Sequence, residues 1–448
     1  MRKSILLCIS LFVYLSLNAQ DNKQSFSLQE AIDYALEHNS QAKNALRDIE
    51  AAKKQKWETT ATGLPQLSAN VNYQNNLIQQ ISLVPAEFFG GEPGEFAEVI
   101  FGTQHNVNAT ATLNQLLFDG SYLVGLQSAK VFLEISKNAK EKTDLEIRKA
   151  VINAYGNVLL SEESVEILES NLVILQKNLD ETTKIYENGL EEEESVEQLQ
   201  ITLSNLQSNL NNAKRLKNIA YKLFNITLGI NHESNTTLTE NLEDLALKNI
   251  ALNELNGEDD IESTIDYRIA ENDKKSKELL LKLEKTRALP QLSAFLNGGY
   301  LGFSNEFTFF DREQNWAGFS AFGLNLNIPI FSSGKRSAAT QRARINLEKA
   351  KDDLTETEQR LRLQIDTAKS NYRFATEDYY NKKQNLALAE RIESKNQTKF
   401  FEGIGSSFEL RQAQTQLYTA QQELLQTMLD VINSKAELET LTNTISNN

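Results

Sequence analysis

The chain has 448 residues, with 46 Lys and Arg against 61 Asp and Glu and a formal net charge of −15. That balance, without any Lys/Arg block, argues against a nucleic-acid partner, which wants a basic surface. Hydrophobic residues at 40% and charged residues at 24% exclude gross disorder, while only 19 Gly and 5 Pro favour long uninterrupted helices.

Arg2 and Lys3, an apolar run from Ile5 to Leu17, and Leu17-Asn18-Ala19 ahead of Gln20 form the pattern of a secretory signal over 1–19. The run is shorter than the ~20 residues that a membrane-spanning helix needs. The single cysteine, Cys8, lies inside it, and Leu7 before it is too bulky for a lipoprotein cleavage site. The mature chain is therefore expected to hold no disulfide, thiolate metal site or thiol nucleophile. No later apolar run approaches helical spanning length, so entry into a membrane would require β-strands.

A first structural repeat is read over 20–230. Ser27-Leu28-Gln29-Glu30 is a capping box with Phe26 as a staple, and it opens a helix over 27–62 that stops at Gly63-Leu64-Pro65. A β-hairpin follows over 66–118. Leu67, Ala69, Val71 and Tyr73 alternate with polar residues, and Val107, Ala109, Ala111 and Leu113 do so again after a Gly/Pro/aromatic segment from Val84 to Gly102. Each run has about ten residues, the length of a tilted strand crossing a bilayer. A half-buried soluble hairpin would carry the same alternation; the signal and the small apolar residues favour a membrane barrel. After Phe118-Asp119-Gly120, a coiled-coil hairpin spans 121–229. Its first arm is roughly 100 Å of helix at 1.5 Å per residue. Val165, Leu168, Leu172, Leu175 and Leu179 make a heptad seam, Gly189 turns the chain, and Val196, Leu199, Leu203, Leu206 and Leu210 make the return seam.

Residues 231–258 are acidic and without clean periodicity, a connector. The second repeat, 259–448, runs through a helix over 260–288, a hairpin over 291–331 and a coiled-coil hairpin over 335–445. Leu64-Pro65-Gln66-Leu67-Ser68-Ala69 returns as Leu289-Pro290-Gln291-Leu292-Ser293-Ala294, and the tip at Gly189 returns at Gly403, with Gln198 and Gln200 matched by Gln412 and Gln414. Phe303, Phe307, Phe309, Phe310, Trp316 and Phe319 crowd the second turn, as suits a membrane interface.

Chemistry is sparse. His38, His105 and His232 lie far apart, Gly403-Ile404-Gly405 lacks the third glycine of a dinucleotide fingerprint, and Ser333-Gly334-Lys335-Arg336 lacks the parts of a P-loop. The chain reads as no enzyme and as needing no cofactor or metal. Four membrane-length strands cannot close a barrel, and an open edge in lipid leaves backbone groups unpaired. Three chains would supply twelve strands. The fold class is therefore an α+β membrane protein: a duplicated helix–β-hairpin–long helix–helix unit, giving a trimeric 12-stranded outer-membrane β-barrel continued by a periplasmic helical barrel.

These features resemble the TolC-type outer-membrane efflux family. The resemblance rests on Ser27 to Leu36, both Leu-Pro-Gln-Leu-Ser segments, Phe118-Asp119-Gly120, Tyr186 to Leu190, and Phe401-Glu402-Gly403 with Leu410 to Leu417. It implies a homotrimeric channel in the outer membrane of a Gram-negative bacterium. Such a channel carries drugs, metal ions or polypeptides outward, and docks through its helical tips to a periplasmic adaptor and thence to an inner-membrane transporter. It also implies a gate at the tips: Gly189, Glu191, Glu194, Ser195, Phe400, Gly403, Gly405, Glu409, Arg411 and Gln412. By position from the tip glycines, Glu409 matches one acidic ring residue, Gln412 stands where a second acid is typical, and Ser195 replaces an acid in the first hairpin. Gly405 sits where the family can carry a gate arginine, and Arg411 is the nearest alternative partner for the Glu191–Glu194 cluster. The helix-to-barrel junctions are Pro65, Gly120, Pro290 and Gly334. A rival of another class is a non-pore periplasmic coiled-coil scaffold or adaptor; the two hairpins and two strand pairs disfavour it.

Overall fold

The computed structural model describes residues 24–250 and 260–444. The expected signal at 1–19, residues 251–258 of the connector and residue 445 lie outside the described residues. The chain divides into two compact units: one holds 1–49, 135–271 and 353–448, the other 50–134 and 272–352.

The helical unit opens on β1 (Gln24–Phe26) and α1 (Leu28–His38). Ser27 closes the anticipated capping box, its hydroxyl accepting from the Glu30 N–H while the Glu30 carboxylate accepts from the Ser27 N–H at 2.9 Å. The helix expected over 27–62 is two helices, because Asn39 interrupts it. Asn39 sits at φ −59°, ψ 140°, its Oδ1 accepts from the Gln41 N–H at 2.7 Å, and its Nδ2 donates to the Thr227 carbonyl at 2.8 Å. An Asn side chain that satisfies local backbone competes with the helix ladder. The second piece, α2, is Ser40–Ala61.

The long arm α3 (Gly120–Glu187) and its return α4 (Glu193–Leu228) reproduce the first coiled-coil hairpin, and α7 (Lys335–Phe401) with α8 (Ser407–Thr442) reproduce the second. Leu175, Leu179, Val196, Leu199 and Leu206 form one buried cluster, with Leu168, Leu172 and Leu203 packed against it. The two heptad seams read from the sequence thus pack on each other. The segment between the repeats is not a bare connector. It carries β6 (Thr236–Leu238), parallel to β1, and α5 (Leu242–Lys248), capped by Asn241. These short elements pack into the main core with Ile147, Val151, Phe224, Leu361, Ile365 and Ile432. Two fully buried tyrosines hold them through their hydroxyls. Tyr155 donates to the Phe26 carbonyl at 3.1 Å, and Tyr372 donates to the Asn249 carbonyl at 2.5 Å. Burial pushes the Tyr155 hydroxyl well above the usual phenol range, with the Glu240 carboxylate adding to it.

The second unit is built on a four-stranded antiparallel sheet of order β2-β5-β7-β8, made of β2 (Gln66–Asn75), β5 (His105–Asp119), β7 (Gln291–Ser304) and β8 (Trp316–Asn327). It also contains α6 (Ile265–Thr286) from 272 onward. The duplication shows in the register. Gln66 faces Asn114 and Leu67 faces Leu113, while Gln291 faces Asn327 and Leu292 faces Leu326. The β5–β7 pairing, with a bulge between Leu116 and Phe118, fuses the two hairpins. The Gly/Pro/aromatic segment also holds a small hairpin, β3 (Ile81–Pro85) with β4 (Phe96–Ile100), which the alternation reading passed over because each strand has only five residues.

Register puts Leu67, Val71, Tyr73, Ala109, Leu113, Leu296, Tyr300, Phe322 and Leu326 on one sheet face. Asn70, Asn72, Thr110 and Thr112 share the other with Phe295, Phe303 and Phe319. The four strands contain no Lys, Arg or Glu; Asp119 and His105 stand at the two ends of β5. Most of the apolar face is uncovered by any described residue: Leu67 is 75% exposed and Phe322 72%. Among the described residues no helix is long and apolar enough to cross a membrane.

Candidate functional site

The two hairpin tips have the same local geometry, 214 residues apart. Gly189 sits at φ 74° and Gly403 at φ 75°. The Leu190 N–H reaches the Ile185 carbonyl at 3.1 Å, and the Ile404 N–H reaches the Lys399 carbonyl at 3.0 Å. Both are helix stops with a left-handed residue just past the last turn, where glycine avoids the Cβ penalty. Gly405 follows against the Lys399 backbone, close enough that a Cβ would meet the Lys399 Cβ at 2.9 Å.

After the turn the two tips differ. In the second, Ser406 caps α8 and Glu409 returns the bond to the Ser406 N–H at 3.3 Å, a complete capping box. In the first, the equivalent positions hold Glu192 and Ser195, the same two residue types in reversed order, and Glu192 makes no side-chain cap. Ser195 is thereby released for another role. It is buried, its hydroxyl donates to Glu191 Oε1 at 2.6 Å, and it lies 2.8 Å from the Ser407 hydroxyl. With its single proton given to Glu191, Ser195 accepts from Ser407. A hydrogen-bond chain Ser407–Ser195–Glu191 thus ties the two tips of one chain together.

Of the other tip residues, Glu194 accepts from Gln198 Nε2 at 2.7 Å, and Arg411 lies over the Phe408 ring at 5.5 Å. Phe400 is buried, with its ring against Phe401 at 5.3 Å, and Gln412 is exposed. Arg411 makes no ion pair with the Glu191–Glu194 cluster of its own chain among the described residues; its guanidinium rests on an aromatic face instead. Behind the tips, a polar seam joins the hairpins. Asn171 Nδ2 donates to Gln421 Oε1 at 2.8 Å, and Gln397 Nε2 reaches Asn178 Oδ1 at 3.4 Å. Near it, burial pushes the Glu393 carboxyl up against an opposing effect of Gln414, and pushes the Tyr418 hydroxyl up to about 12.

At the junctions, each Pro stands one residue before its strand: β2 begins at Gln66 and β7 at Gln291. Gln115 Nε2 donates to the Gly63 carbonyl at 2.8 Å, and Tyr122 donates to the Thr60 carbonyl at 3.0 Å, so side chains close the exposed end of α2. Asp119 Oδ1 accepts the Ser121 N–H at 2.6 Å and caps α3, which starts at Gly120. On the equivalent second junction, Gly334 precedes α7 at φ 80°, and Arg336 brackets the Pro329 and Ile330 carbonyls at 2.7 and 3.1 Å. The sequence reading named the Pro and Gly breakers and passed through Asp119 and Arg336 without giving either its role here, and it did not reach the Ser195–Ser407 bond. Asp before the helical Gly-Ser was the one legible signal, as an N-cap residue.

At the far end of the sheet, Tyr73, His105, Phe307, Phe309 and Trp316 gather in edge and stacked contacts. Tyr73 Oη lies 2.9 Å from His105 Nδ1, and the Phe309 and Trp316 rings are 6.1 Å apart. Tyr73 and Trp316 belong to the apolar face, so the cluster is an aromatic band at the end of that face. Among the described residues no group of three or more His, Cys, Asp and Glu is placed to hold a metal ion.

A sheet with one apolar face, strands whose one charged residue is Asp119 at the end of β5, and an aromatic band, in a chain that also forms two helical hairpins, defines a β-strand membrane protein with a helical part. More narrowly, the chain belongs to the outer membrane efflux protein family, whose sequence profile matches residues 31–223 and 271–444. It is thus an outer-membrane protein and not an enzyme. No curated protein matches the chain in sequence. The fold is shared with solved structures at low identity. The outer membrane protein VceC of Vibrio cholerae is 16% identical, with a TM-score of 0.70 over 93% of this chain and 96% of that one. The CmeC outer membrane channel of Campylobacter jejuni is 17% identical, with a TM-score of 0.70 over 93% and 85%. The open-state MtrE outer membrane channel of Neisseria gonorrhoeae is 17% identical, with a TM-score of 0.68 over 93% and 88%.

Proposed function

We propose that three copies of this chain assemble into one outer-membrane channel that passes cargo outward from a periplasmic adaptor and an inner-membrane transporter. The observation that carries this reading is the sheet. Its two edge strands, β2 and β8, are each paired on one side only and carry no charged residue, and its apolar face is open. In lipid every backbone group needs a partner, so the edges must meet those of other copies. Three copies supply twelve strands, enough to close a barrel with a water-filled interior. The amide-rich face of β2 and β5 then lines the lumen. The helical part supports the same stoichiometry: Leu216, Ile219, Leu223 and Ile226 form an apolar stripe along α4 that is 45–59% exposed and suits burial against a neighbouring copy.

The tips form the periplasmic gate in this reading. Arg411 makes no ion pair with its own chain's Glu191–Glu194 cluster among the described residues and is free to reach that cluster of the next copy, holding the entrance closed. Purified protein in planar bilayers tests both parts. Stepwise conductance is expected for the wild type, and Arg411→Ala and Glu194→Gln each raise the open probability severalfold. Unchanged conductance in both variants removes the gate pairing, and absence of any conductance removes the channel.

A further inference from the structure

The loop leaving the outer end of β2 carries an apolar surface that no described residue covers. Pairing from Ile81 with Ile100 to Pro85 with Phe96 places Ile81, Leu83, Phe96 and Ile100 on one face, each 53–65% exposed, with the exposed Glu98 opposite Leu83 in its middle. Phe88 at the hairpin turn is 77% exposed. An exposed apolar face of this kind, interrupted only by Glu98, marks an interaction surface.

We propose that this β3–β4 hairpin docks on a second copy of the chain, against that copy's 305–315 loop, receiving its Phe310 and pairing with its Arg312. The inference rests on the trimeric reading above. Closing the barrel brings each β2 edge beside a neighbour's β8 edge. The hairpin leaves the end of β2 at Asn75, and the 305–315 loop enters β8 at Trp316. Register puts both at the same end of the sheet, since Asn75 faces His105, His105 faces Ser304, and Trp316 faces Gly302. The two loops therefore flank one another across every seam between copies, and the hairpin face continues that seam beyond the membrane.

Within its own chain, the 305–315 loop folds Phe307 and Phe309 onto Tyr73 and leaves Phe310 90% exposed. The hairpin segment holds Glu87, Glu92, Glu95 and Glu98 and no Lys or Arg; the 305–315 loop is itself acidic, with Glu306, Asp311 and Glu313, so the charge match rests on Arg312 alone, the sole cation in 76–104 and 305–315. Arg312 is exposed and makes no ion pair with a described residue. A hairpin that instead lay in an anionic headgroup layer would want Lys or Arg beside its apolar face.

The test is a cysteine pair. In a Cys8→Ser background the chain has no other cysteine, so Leu83→Cys with Phe310→Cys reports alone. Oxidation in intact outer membranes is expected to give a covalent trimer on non-reducing denaturing gels, because each copy donates one cysteine and receives another. Either single variant stays monomeric. Adding Arg312→Glu lowers the trimer yield about two- to fivefold, as for an exposed ion pair, whereas Arg312→Lys retains it. A native trimer that conducts but does not cross-link overturns the docking and leaves the channel standing. A covalent dimer from Leu83→Cys alone places the hairpins against each other and overturns it too. So does quenching of a fluorophore on Leu83→Cys by lipid-borne quencher. Loss of the native trimer in the unmodified protein removes both the channel reading and the docking.

Discussion

Ser195 shows how one residue exchange separates two otherwise equivalent tips. The second tip uses Ser406 and Glu409 to cap its own helix, whereas the reversed pair in the first leaves Ser195 to accept from Ser407 across the hairpins. Sequence spacing located both turns to the residue, because a glycine past a heptad seam has a local physical cause. It could not locate the serine bond, which depends on two hairpins lying side by side. Glu393 makes the clearest residue-scale prediction. Burial raises its folded pKa, so the folded protein holds the proton more tightly than the unfolded chain does. Its stability contribution therefore falls as pH rises from the ordinary carboxylate range through the raised folded value. Glu393→Gln is expected to raise the apparent Tm by about 1–3 °C at neutral pH. The gap should close on acidification below the ordinary carboxylate range. A pH-independent gap in thermal melts would assign the gain to packing instead.

At the scale of elements, the two hairpins carry the same base register, and each begins one residue after a proline. Removing that proline lets α2 or α6 compete for residues that the strand must use. Pro65→Ala and Pro290→Ala are expected to cut the yield of assembled protein at least severalfold while the conductance of what assembles stays normal. Normal yield with altered ion selectivity would place the prolines elsewhere. Long periodic elements were legible in the sequence: both coiled-coil hairpins turn at the expected glycines and both strand pairs start after the expected prolines, but β7 and β8 run on through Phe303, Trp316 and Phe319, which the alternation had left in the turn. What escaped was short or held by tertiary contact. β3 and β4 have five residues each, β1 and β6 have three, and Asn39 breaks a helix through a bond to Thr227 that no local pattern announces. The candidate tip residues were legible as positions, but their partners were not, because a charged turn reads alike whether it is solvated or engaged.

For the whole molecule, family membership and strands charged only at Asp119 leave the tips and the acidic surface to govern which ions pass. Glu191 to Glu194 concentrate negative charge at the first turn, and the chain carries −15 overall. Reversal potentials across a salt gradient are expected to show cation preference, weakening as ionic strength rises and the Debye length shortens. Neutralising Glu191, Glu192, Glu193 and Glu194 together should reduce that preference, and anion selectivity in the wild type would refute the assignment. The claim on which all of this depends is that one pore is made from three chains. The mass of the detergent-extracted protein by native mass spectrometry tests it most directly. The account predicts a complex of three chains recovered from the outer-membrane fraction. A monomer or dimer, or recovery in the soluble periplasm, would contradict it.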